Sequence, residues 1–234
     1  MKLEANALCK SFDGQPVLHD VSFSVQGGDT LAIVGRSGCG KTTLLRMLAG
    51  FLPPDSGSVL LDGQPSAAPA KDKLMVFQSF DQLFPWFTLR GNIQYALKKT
   101  RREMAKGEAR DLAMRCLSEM GLKGAEEKYP YQLSGGMKQR GALARAMALS
   151  PKALLLDEPF SSLDIHSREN AHASLQTLKK ATGAAVVLVT HDLQEAAALA
   201  TRIALLKAEA HGIVAEMDNT GDNTAQRLRE LLRD

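Results

Sequence analysis

Short apolar runs of strand length recur along the chain and give the first structural signal. Four of them predict buried strands: Asp29–Val34, Leu74–Phe77, Ala153–Leu156 and Ala185–Val189. Residues 1–25 alternate short apolar runs with polar turns such as Asp13-Gly14, a pattern typical of antiparallel strands. Ser58–Gly63 predicts a further strand that enters a hairpin turn.

Helical spacing of apolar residues marks the segments between these runs. Lys41–Ala49 places three leucines at helical spacing before Gly50, a residue that stops helices. Further helices are predicted over Leu89–Lys98, over Lys106–Met120 and from the N-cap Ser134 to Ser150. Residues 202–234 predict a strand, a mixed turn and a polar helix.

Together these elements predict an α/β fold, and the length of 234 residues allows one large domain or two small ones. The core of this fold is a mainly parallel sheet with flanking helices, preceded by an N-terminal antiparallel β subdomain. A helical subdomain is expected to be inserted at about residues 79–149.

Composition adds few constraints. The 234 residues are 44% hydrophobic and 24% charged, as in ordinary globular proteins, and the net charge of +3 does not demand a nucleic acid partner. The segment from Lys98 to Arg110 contains six basic residues and two acidic ones, so its local net charge is +4. This segment is either a solvated helix face or a surface that faces anionic lipid.

Targeting signals and cysteine chemistry change the picture little. The first residues lack the apolar segment of a signal peptide, and no stretch approaches the roughly 18 apolar residues that span a bilayer. Three isolated cysteines argue against a disulfide framework or a thiolate metal site. We therefore expect a protein that is made and kept in the cytoplasm.

Aromatic residues are concentrated in one segment. Although only 5% of the chain is aromatic, five of these residues fall within eleven positions: Phe77, Phe80, Phe84, Trp86 and Phe87. The cluster is either a small core or a partner site. Phe12, in the first block, either stacks on a nucleotide base or packs in its own sheet.

The strongest chemical signal is Gly35–Thr42, which fits the phosphate-loop template G-x-x-x-x-G-K-[ST] between a predicted strand and a predicted helix. Glycines let the backbone N–H groups turn inward, and the helix N-terminus adds positive charge, so the loop suits a polyphosphate. Lys41 can then reach the β- and γ-phosphates, while the Thr42 hydroxyl binds Mg²⁺. The candidate nucleotide contacts are Gly35, Arg36, Ser37, Gly38, Cys39, Gly40, Lys41, Thr42 and Thr43.

Two later strands deliver polar residues to their carboxyl ends. Asp157 and Glu158 follow the third buried strand; the first suits Mg²⁺ and the second suits a water-activating base. His191 follows the last one and is positioned to donate to a γ-phosphate. Ser134-Gly135-Gly136 opens a helix and forms a second potential anion site.

In this order the motifs resemble the nucleotide-binding subunit of ATP-binding-cassette transporters, and the resemblance runs from Leu3 to about Leu206. It implies a single ATP-binding domain over residues 1–234, with a P-loop nucleoside triphosphatase core that binds ATP and Mg²⁺. Phe12 would stack on adenine. Gln78 would contact Mg²⁺ and communicate the state of the nucleotide site to the membrane subunit. Catalysis would depend on Glu158, His191, Lys41 and Gln78, with Mg²⁺ held by Thr42, Gln78 and Asp157. The dimer-contacting loop would be Ser161-Ser162-Leu163-Asp164, with Asp164 near nucleotide.

The resemblance also implies partners and a location. ATP on one chain would be capped by Ser134, Gly135 and Gly136 of a second copy, forming a homodimer bound to integral membrane permease subunits. A solute-binding protein would act through the permease, and the dimer would sit on the inner face of the cell membrane. The Pro85-Trp86 segment is similar to importers of nitrate, sulfonates and taurine. Met137 stands where the family signature usually has glutamine.

Two other functions remain open at this point. The chain could be a soluble cassette ATPase that is not coupled to transport, or the ATPase subunit of an exporter. A single cassette without a long coiled-coil insertion or a strong basic surface argues against the first. The transported substrate would be selected by the membrane and binding-protein subunits.

Overall fold

The computed structural model describes residues 1–78, 82–221 and 224–231. They form two compact units. The first contains Met1–Met75, Lys152–Glu158 and Ala184–Asp234, and the second contains Val76–Pro151 and Pro159–Gly183. The predicted insertion at residues 79–149 falls in the sequence range of the second unit, although Ser79 itself lies outside the described residues.

The first unit begins with the predicted antiparallel sheet. Its strands, in the spatial order β2-β1-β4-β5, are β1 (Lys2–Phe12), β2 (Gln15–Gln26), β4 (Ser56–Leu61) and β5 (Gln64–Pro65). Asp13 and Gly14 join the first two strands with φ of 49° and 76°. Two consecutive left-handed residues match the twist of a tight hairpin, so the turn signal in the sequence is confirmed.

The second sheet of this unit is mainly parallel, as predicted. Its order is β10-β9-β3-β8-β7-β6, with β3 (Thr30–Val34), β6 (Lys73–Val76), β7 (Ala153–Asp157), β8 (Ala185–Thr190), β9 (Arg202–Lys207) and β10 (Gly212–Asp218). β3 pairs in parallel with β8 and β9, and β7 pairs in parallel with β8. The carboxyl ends of β3, β7 and β8 therefore lie at one edge, where parallel sheets bind ligands.

The helices of the first unit are α1 (Lys41–Ala49), α6 (Leu193–Leu199) and α7 (Thr224–Leu231). The predicted face of α1 is buried in the main core, where Leu44, Leu45 and Leu48 are each 0% exposed. Gly50 ends the helix at φ 82°. A β-carbon on this glycine would lie 2.7 Å from the carbonyl oxygen of Ala68, so the position requires glycine for space as well as conformation.

The second unit is helical. It contains α2 (Leu89–Thr100), α3 (Lys106–Glu119), a short 3-10 turn (Pro130–Gln132), α4 (Gly135–Leu149) and α5 (Ile165–Thr182). Ser134 caps α4, because its Oγ accepts a hydrogen bond from the Met137 N–H at 3.3 Å. None of the helices in the described ranges is long and apolar enough to cross a membrane.

The sequence-based expectation did not include the helix α5 or the strand β10. The 18-residue helix α5 follows the cap Asp164 and buries Ala171, Leu175 and Leu178, a spacing that would have revealed it. The mixed turn expected after β9 contains the strand β10, which pairs with β9 and alternates between half-buried and exposed positions. Such an edge strand leaves only a weak hydrophobic pattern in the sequence.

The aromatic segment is packed in part and exposed in part. Phe84 and Phe87 are half-buried and contact each other and Tyr95, with the Phe84 and Tyr95 ring centroids 5.1 Å apart. Trp86 is 66% exposed, although its ring lies 5.6 Å from that of Phe84. These aromatics thus form a small cluster with one exposed face. Phe80 lies outside the described residues.

Asn92 holds this segment to α2. Its side chain is 0% exposed, and its Oδ1 accepts from the Phe84 N–H at 2.7 Å. Its Nδ2 lies 3.1 Å from the carbonyl oxygens of Phe84, Phe87 and Thr88. One buried amide therefore satisfies backbone groups that would otherwise lose their partners on leaving water.

We expect Asn92→Leu to lower the free energy of unfolding by about 3 kcal/mol, because several buried backbone groups would lose hydrogen bonds. Urea unfolding followed by circular dichroism measures this change. Asn170→Leu is the matched control, since the Asn170 amide is exposed and donates to the His166 carbonyl at 2.9 Å. That control should change stability by about 0.5 kcal/mol or less. Equal effects of the two substitutions would contradict the assignment.

Candidate functional site

The loop between β3 and α1 has the geometry of a phosphate cradle. Gly38 and Gly40 have φ of 82° and 103°, values that favour glycine. A β-carbon at Gly35 would lie 2.4 Å from the Leu206 carbonyl oxygen and 2.7 Å from the Cys39 sulfur. The glycines thus serve two different needs: conformation inside the loop, and close packing where it leaves the sheet. Arg36 and Ser37 are exposed, and Thr43 is half-buried.

The Lys41 ammonium is buried inside this loop. Its Nζ donates to the carbonyl oxygens of Gly35 at 2.8 Å and Arg36 at 2.9 Å, and the residue is 5% exposed. A buried cation needs oxygen partners, and phosphate oxygens are stronger acceptors than carbonyls. Cys39 belongs to the same loop and is 2% exposed, and burial raises the pKa of its thiol. Its side chain therefore lines the loop without presenting a reactive thiolate.

Thr42 and Asp157 form a pair of oxygen ligands at the carboxyl edge of the sheet. The Thr42 hydroxyl donates to Asp157 Oδ1 at 3.1 Å, and Asp157 is 8% exposed. Burial raises the pKa of Asp157, and the neighbouring Glu158 charge raises it further. A desolvated carboxylate beside a hydroxyl is a favourable site for a hard cation such as Mg²⁺. Within the described ranges, no group of three or more His, Cys, Asp or Glu side chains could hold a metal.

Glu158 is held in an unusual backbone conformation. Its φ is 43°, in the left-handed region that non-glycine residues seldom adopt, and its N–H donates to the Val189 carbonyl at 2.9 Å. Its Oε2 lies 3.0 Å from Nδ1 of His191, which follows β8. Strained backbone with a fixed partner is a common feature of catalytic positions. The structure therefore brings together the two residues that the sequence placed at the ends of separate strands.

Asp192, directly after His191, fixes the start of α6. Its Oδ1 accepts from the N–H of Gln194 at 2.8 Å and of Glu195 at 3.3 Å. This N-cap anchors the chain on one side of His191, while the end of β8 anchors it on the other. His191 itself remains 58% exposed at its side chain, so it is accessible to a ligand.

Phe12 is exposed at the end of the first hairpin. It is 45% exposed and pairs with Gln15 of β2, while Lys10 Nζ lies 5.6 Å from its ring. The other strand of this hairpin, β2, approaches the phosphate loop, because a β-carbon on Gly40 would lie 3.2 Å from the Val17 Cγ1. The ring is therefore not packed in its own sheet, and the hairpin that carries it borders the loop.

The other predicted site residues lie in the second unit. Ser134 caps α4 and Gly135 is its first residue, while Gly136 packs tightly: a β-carbon there would lie 2.8 Å from the Ser167 Cβ. Gln78 is exposed, with its Nε2 3.5 Å from the Ser161 Oγ. Asp164 caps α5 by accepting from the Ser167 N–H at 2.9 Å. Sequence reasoning missed Ser167, and no local signal marks it.

Comparison with known proteins identifies the family. The sequence model described as ABC transporter matches residues 18–161. The chain belongs to the ABC transporter family. It is an ATPase of that family and binds nucleotide.

Several relatives share most of its length. The taurine import ATP-binding protein TauB of Yersinia pestis bv. Antiqua is 41% identical over 204 residues, which are 87% of this chain and 79% of that protein. The nitrate import ATP-binding protein NrtD of Synechococcus elongatus is 43% identical over 189 residues, 81% of this chain and 69% of that one.

Solved structures agree with the fold. The dimeric structure of MJ0796, a bacterial ABC transporter cassette, superposes with a TM-score of 0.80 at 30% identity, covering 94% of this chain and 99% of that one. A post-hydrolysis state of the same cassette bound to ADP and Pi gives a TM-score of 0.79 at 29% identity, with the same coverage. The P-loop core predicted from the motif order is thereby confirmed.

The tight packing of Gly136 separates a structural role from a nucleotide-contact role. We expect Gly136→Ala to lower the free energy of unfolding by about 2 kcal/mol, because its methyl group would overlap Ser167. Adding Ser167→Gly removes that overlap. If Gly136 also contacts nucleotide, the double variant recovers the part of the stability lost to this overlap but hydrolyses ATP about tenfold more slowly than the unmutated chain.

Urea unfolding and steady-state ATP hydrolysis measure the two effects. Ser167→Gly alone is the control, with a stability loss of about 1 kcal/mol from its glycine in a helix. Full recovery of turnover by the double variant would restrict Gly136 to packing.

Proposed function

We propose that this chain is the ATP-hydrolysing subunit of an importer for small organic or inorganic anions, of the taurine or nitrate type. Two relatives, the taurine import protein TauB and the nitrate import protein NrtD, support the direction of transport and the substrate class. The hydrolytic role rests on the contact between Glu158 Oε2 and His191 Nδ1, which lie 3.0 Å apart. These residues follow β7 and β8, which pair in parallel, and β8 also pairs with β3, the strand before the phosphate loop.

The phosphate loop supplies the binding step. On arrival of ATP, Lys41 exchanges the carbonyls of Gly35 and Arg36 for β- and γ-phosphate oxygens, which carry more negative charge. Loop N–H groups and the N-terminus of α1 complete the cradle. The exposed ring of Phe12 stacks on adenine. Lys41 then stabilises charge on the transferring phosphoryl group.

Thr42 and Asp157 fit Mg²⁺, because their oxygens are adjacent and burial leaves the carboxylate short of favourable solvation. When bound there, Mg²⁺ would neutralise charge on the phosphate oxygens. We assign Gln78 as a third ligand. The remaining positions would be taken by phosphate oxygens and water, as is usual for this ion.

Glu158 acts as the general base. Its carboxylate accepts a proton from the attacking water as that water's oxygen bonds to the γ-phosphorus, and the bond to the β-phosphate oxygen breaks. His191 holds the Glu158 carboxylate through Nδ1 and presents its exposed edge to the γ-phosphate. The Glu158 backbone is held by the Val189 carbonyl, and His191 lies between the end of β8 and the N-cap of α6, which reduces the cost of ordering the two side chains during reaction.

A second copy of the chain completes each site. Ser134, Gly135 and Gly136 at the start of α4 cap the γ-phosphate bound to the other copy, while Asp164 lies in the dimer-contacting loop. Met137 is compatible with this role, since it contributes its backbone N–H to the Ser134 cap and not its side chain. The dimeric cassette MJ0796 supports the arrangement. ATP would drive closure, and hydrolysis would reopen the dimer.

The proposed partners follow from the importer assignment. Integral membrane permease subunits would bind the dimer at the inner face of the cell membrane, with the exposed Trp86 as a candidate anchor. A solute-binding protein would deliver the anion to the permease. The alternatives remain a cassette ATPase not coupled to transport and the ATPase subunit of an exporter.

Glu158→Gln tests the hydrolytic role. We expect turnover to fall by about 100-fold or more, because the amide cannot accept the proton. ATP binding should persist, and the variant should accumulate as a nucleotide-bound dimer, visible by analytical ultracentrifugation with ATP and Mg²⁺. Glu169→Gln, at an exposed position on α5, is the control and should hydrolyse ATP normally. Unchanged turnover in Glu158→Gln would remove this residue from the mechanism.

The transport role is tested by purification from native membranes. We expect a tagged chain to be recovered with a polytopic membrane protein, and the transporter to depend on a secreted solute-binding protein for uptake of an anion. Recovery of the chain without any membrane protein would favour the uncoupled ATPase. Solute efflux that needs no binding protein would favour the exporter.

A further inference from the structure

Gln82 makes a two-point contact with the backbone next to Gln78. Its Oε1 accepts from the Phe77 N–H at 3.1 Å, and its Nε2 donates to the Phe77 carbonyl at 3.0 Å. A side-chain amide that pairs with both groups of one residue fixes that residue as a neighbouring strand would. The residue directly before Gln78 is therefore held by Gln82.

Gln82 is also attached to α4 in two ways. Gln82 Nε2 lies 3.3 Å from Oε1 of Gln139, which is 0% exposed, and the Gln82 carbonyl accepts from Arg145 at 2.9 Å. The Arg145 guanidinium also lies 5.9 Å from the ring centroid of Phe84. The side chain and the backbone of Gln82 thus both follow the position of α4.

The Gln139 contact lies close to the start of α4. Gln139 comes three positions after Gly136, which is within one helical turn. A helix is stiff over this length, so a shift of its first turn moves Gln139 and, through it, Gln82. A single amide therefore connects the backbone beside Gln78 with the helix end that carries Ser134, Gly135 and Gly136.

We propose that Gln82 is a positioning residue that couples Gln78 to the N-terminus of α4 within one chain. This inference rests on the proposed function, in which Gln78 responds to the ATP of its own chain and α4 caps the ATP of the second copy. Gln82 then links the two ATP sites of the dimer without contacting either nucleotide. Closure at one site favours the α4 position that the other site needs.

Two substitutions remove the contact from opposite sides. Gln82→Met keeps the length of the side chain but loses its hydrogen bonds to Phe77 and Gln139. Gln139→Leu removes the acceptor on α4 and leaves the hydrogen bonds between Gln82 and Phe77 in place. It also removes a buried Nε2 that has no hydrogen-bond partner among the described residues, so the cost to folding is small. If Gln82→Met fails to fold, Gln139→Leu alone still tests the proposal. Gln176→Met, half-buried on α5, is the matched control.

We expect both single variants to hydrolyse saturating ATP about tenfold more slowly than the unmutated chain, with affinity for ADP changed by less than about twofold. The double variant should also be about tenfold slower, because both substitutions remove the same contact. In the Glu158→Gln background, each should weaken ATP-dependent dimerisation about tenfold by ultracentrifugation. The assays are run well below the melting temperature of each variant, where these effects are expected, and are repeated close to it.

Turnover and dimerisation within twofold of the unmutated chain in both single variants would overturn the proposal. So would a double variant that is slower by the product of the two single effects, since the residues would then act independently. A loss that appears only near the melting temperature would reduce Gln82 to a structural contact. If Glu158→Gln itself hydrolyses ATP normally, the proposed function fails. If that variant is inactive and the Gln82 and Gln139 variants behave normally, only this inference fails.

Discussion

The parallel hydrogen bonding of β3, β7 and β8 is the constraint on which the first unit depends. Because the three strands run in the same direction, the chain leaves each of them at the same sheet edge. The phosphate loop, Asp157 and His191 follow these three ends. Reversing any one strand would place its residues at the opposite edge of the sheet. Backbone pairing of the strands therefore places these site residues at one edge, independently of contacts between their side chains.

At this sheet edge, Lys41 and Asp157 form hydrogen bonds with neutral groups of the protein that a ligand can replace. The Lys41 ammonium binds two carbonyls of its own loop, and Asp157 accepts from a hydroxyl instead of a cation. Neutral partners compensate buried charges only in part. A triphosphate and a divalent ion would offer both groups stronger partners, so the same residues that hold the loop together favour the binding of ligand.

The second unit relies on amides where the first relies on charges. Asn92 ties the aromatic segment to α2, and Gln82 ties the residue before Gln78 to α4. Neutral amides can donate and accept at once, and they cost less to bury than ions. They therefore suit the attachment of backbone segments to helices in the interior of this unit.

The sequence by itself determined the phosphate loop, α1, the strand ends that carry Asp157 and His191, and the cap at Ser134. These features are encoded by neighbouring residues, through glycine conformation, apolar spacing and capping. The sequence also contains the apolar spacing of α5, whereas the weak pattern of β10 gives little signal. Only the tertiary structure decided the left-handed Glu158 pinned by Val189, the fit of Gly136 against Ser167 and the contact of Gln82 with Gln139. Those pairs are far apart in the chain, and their meeting depends on how strands and helices pack.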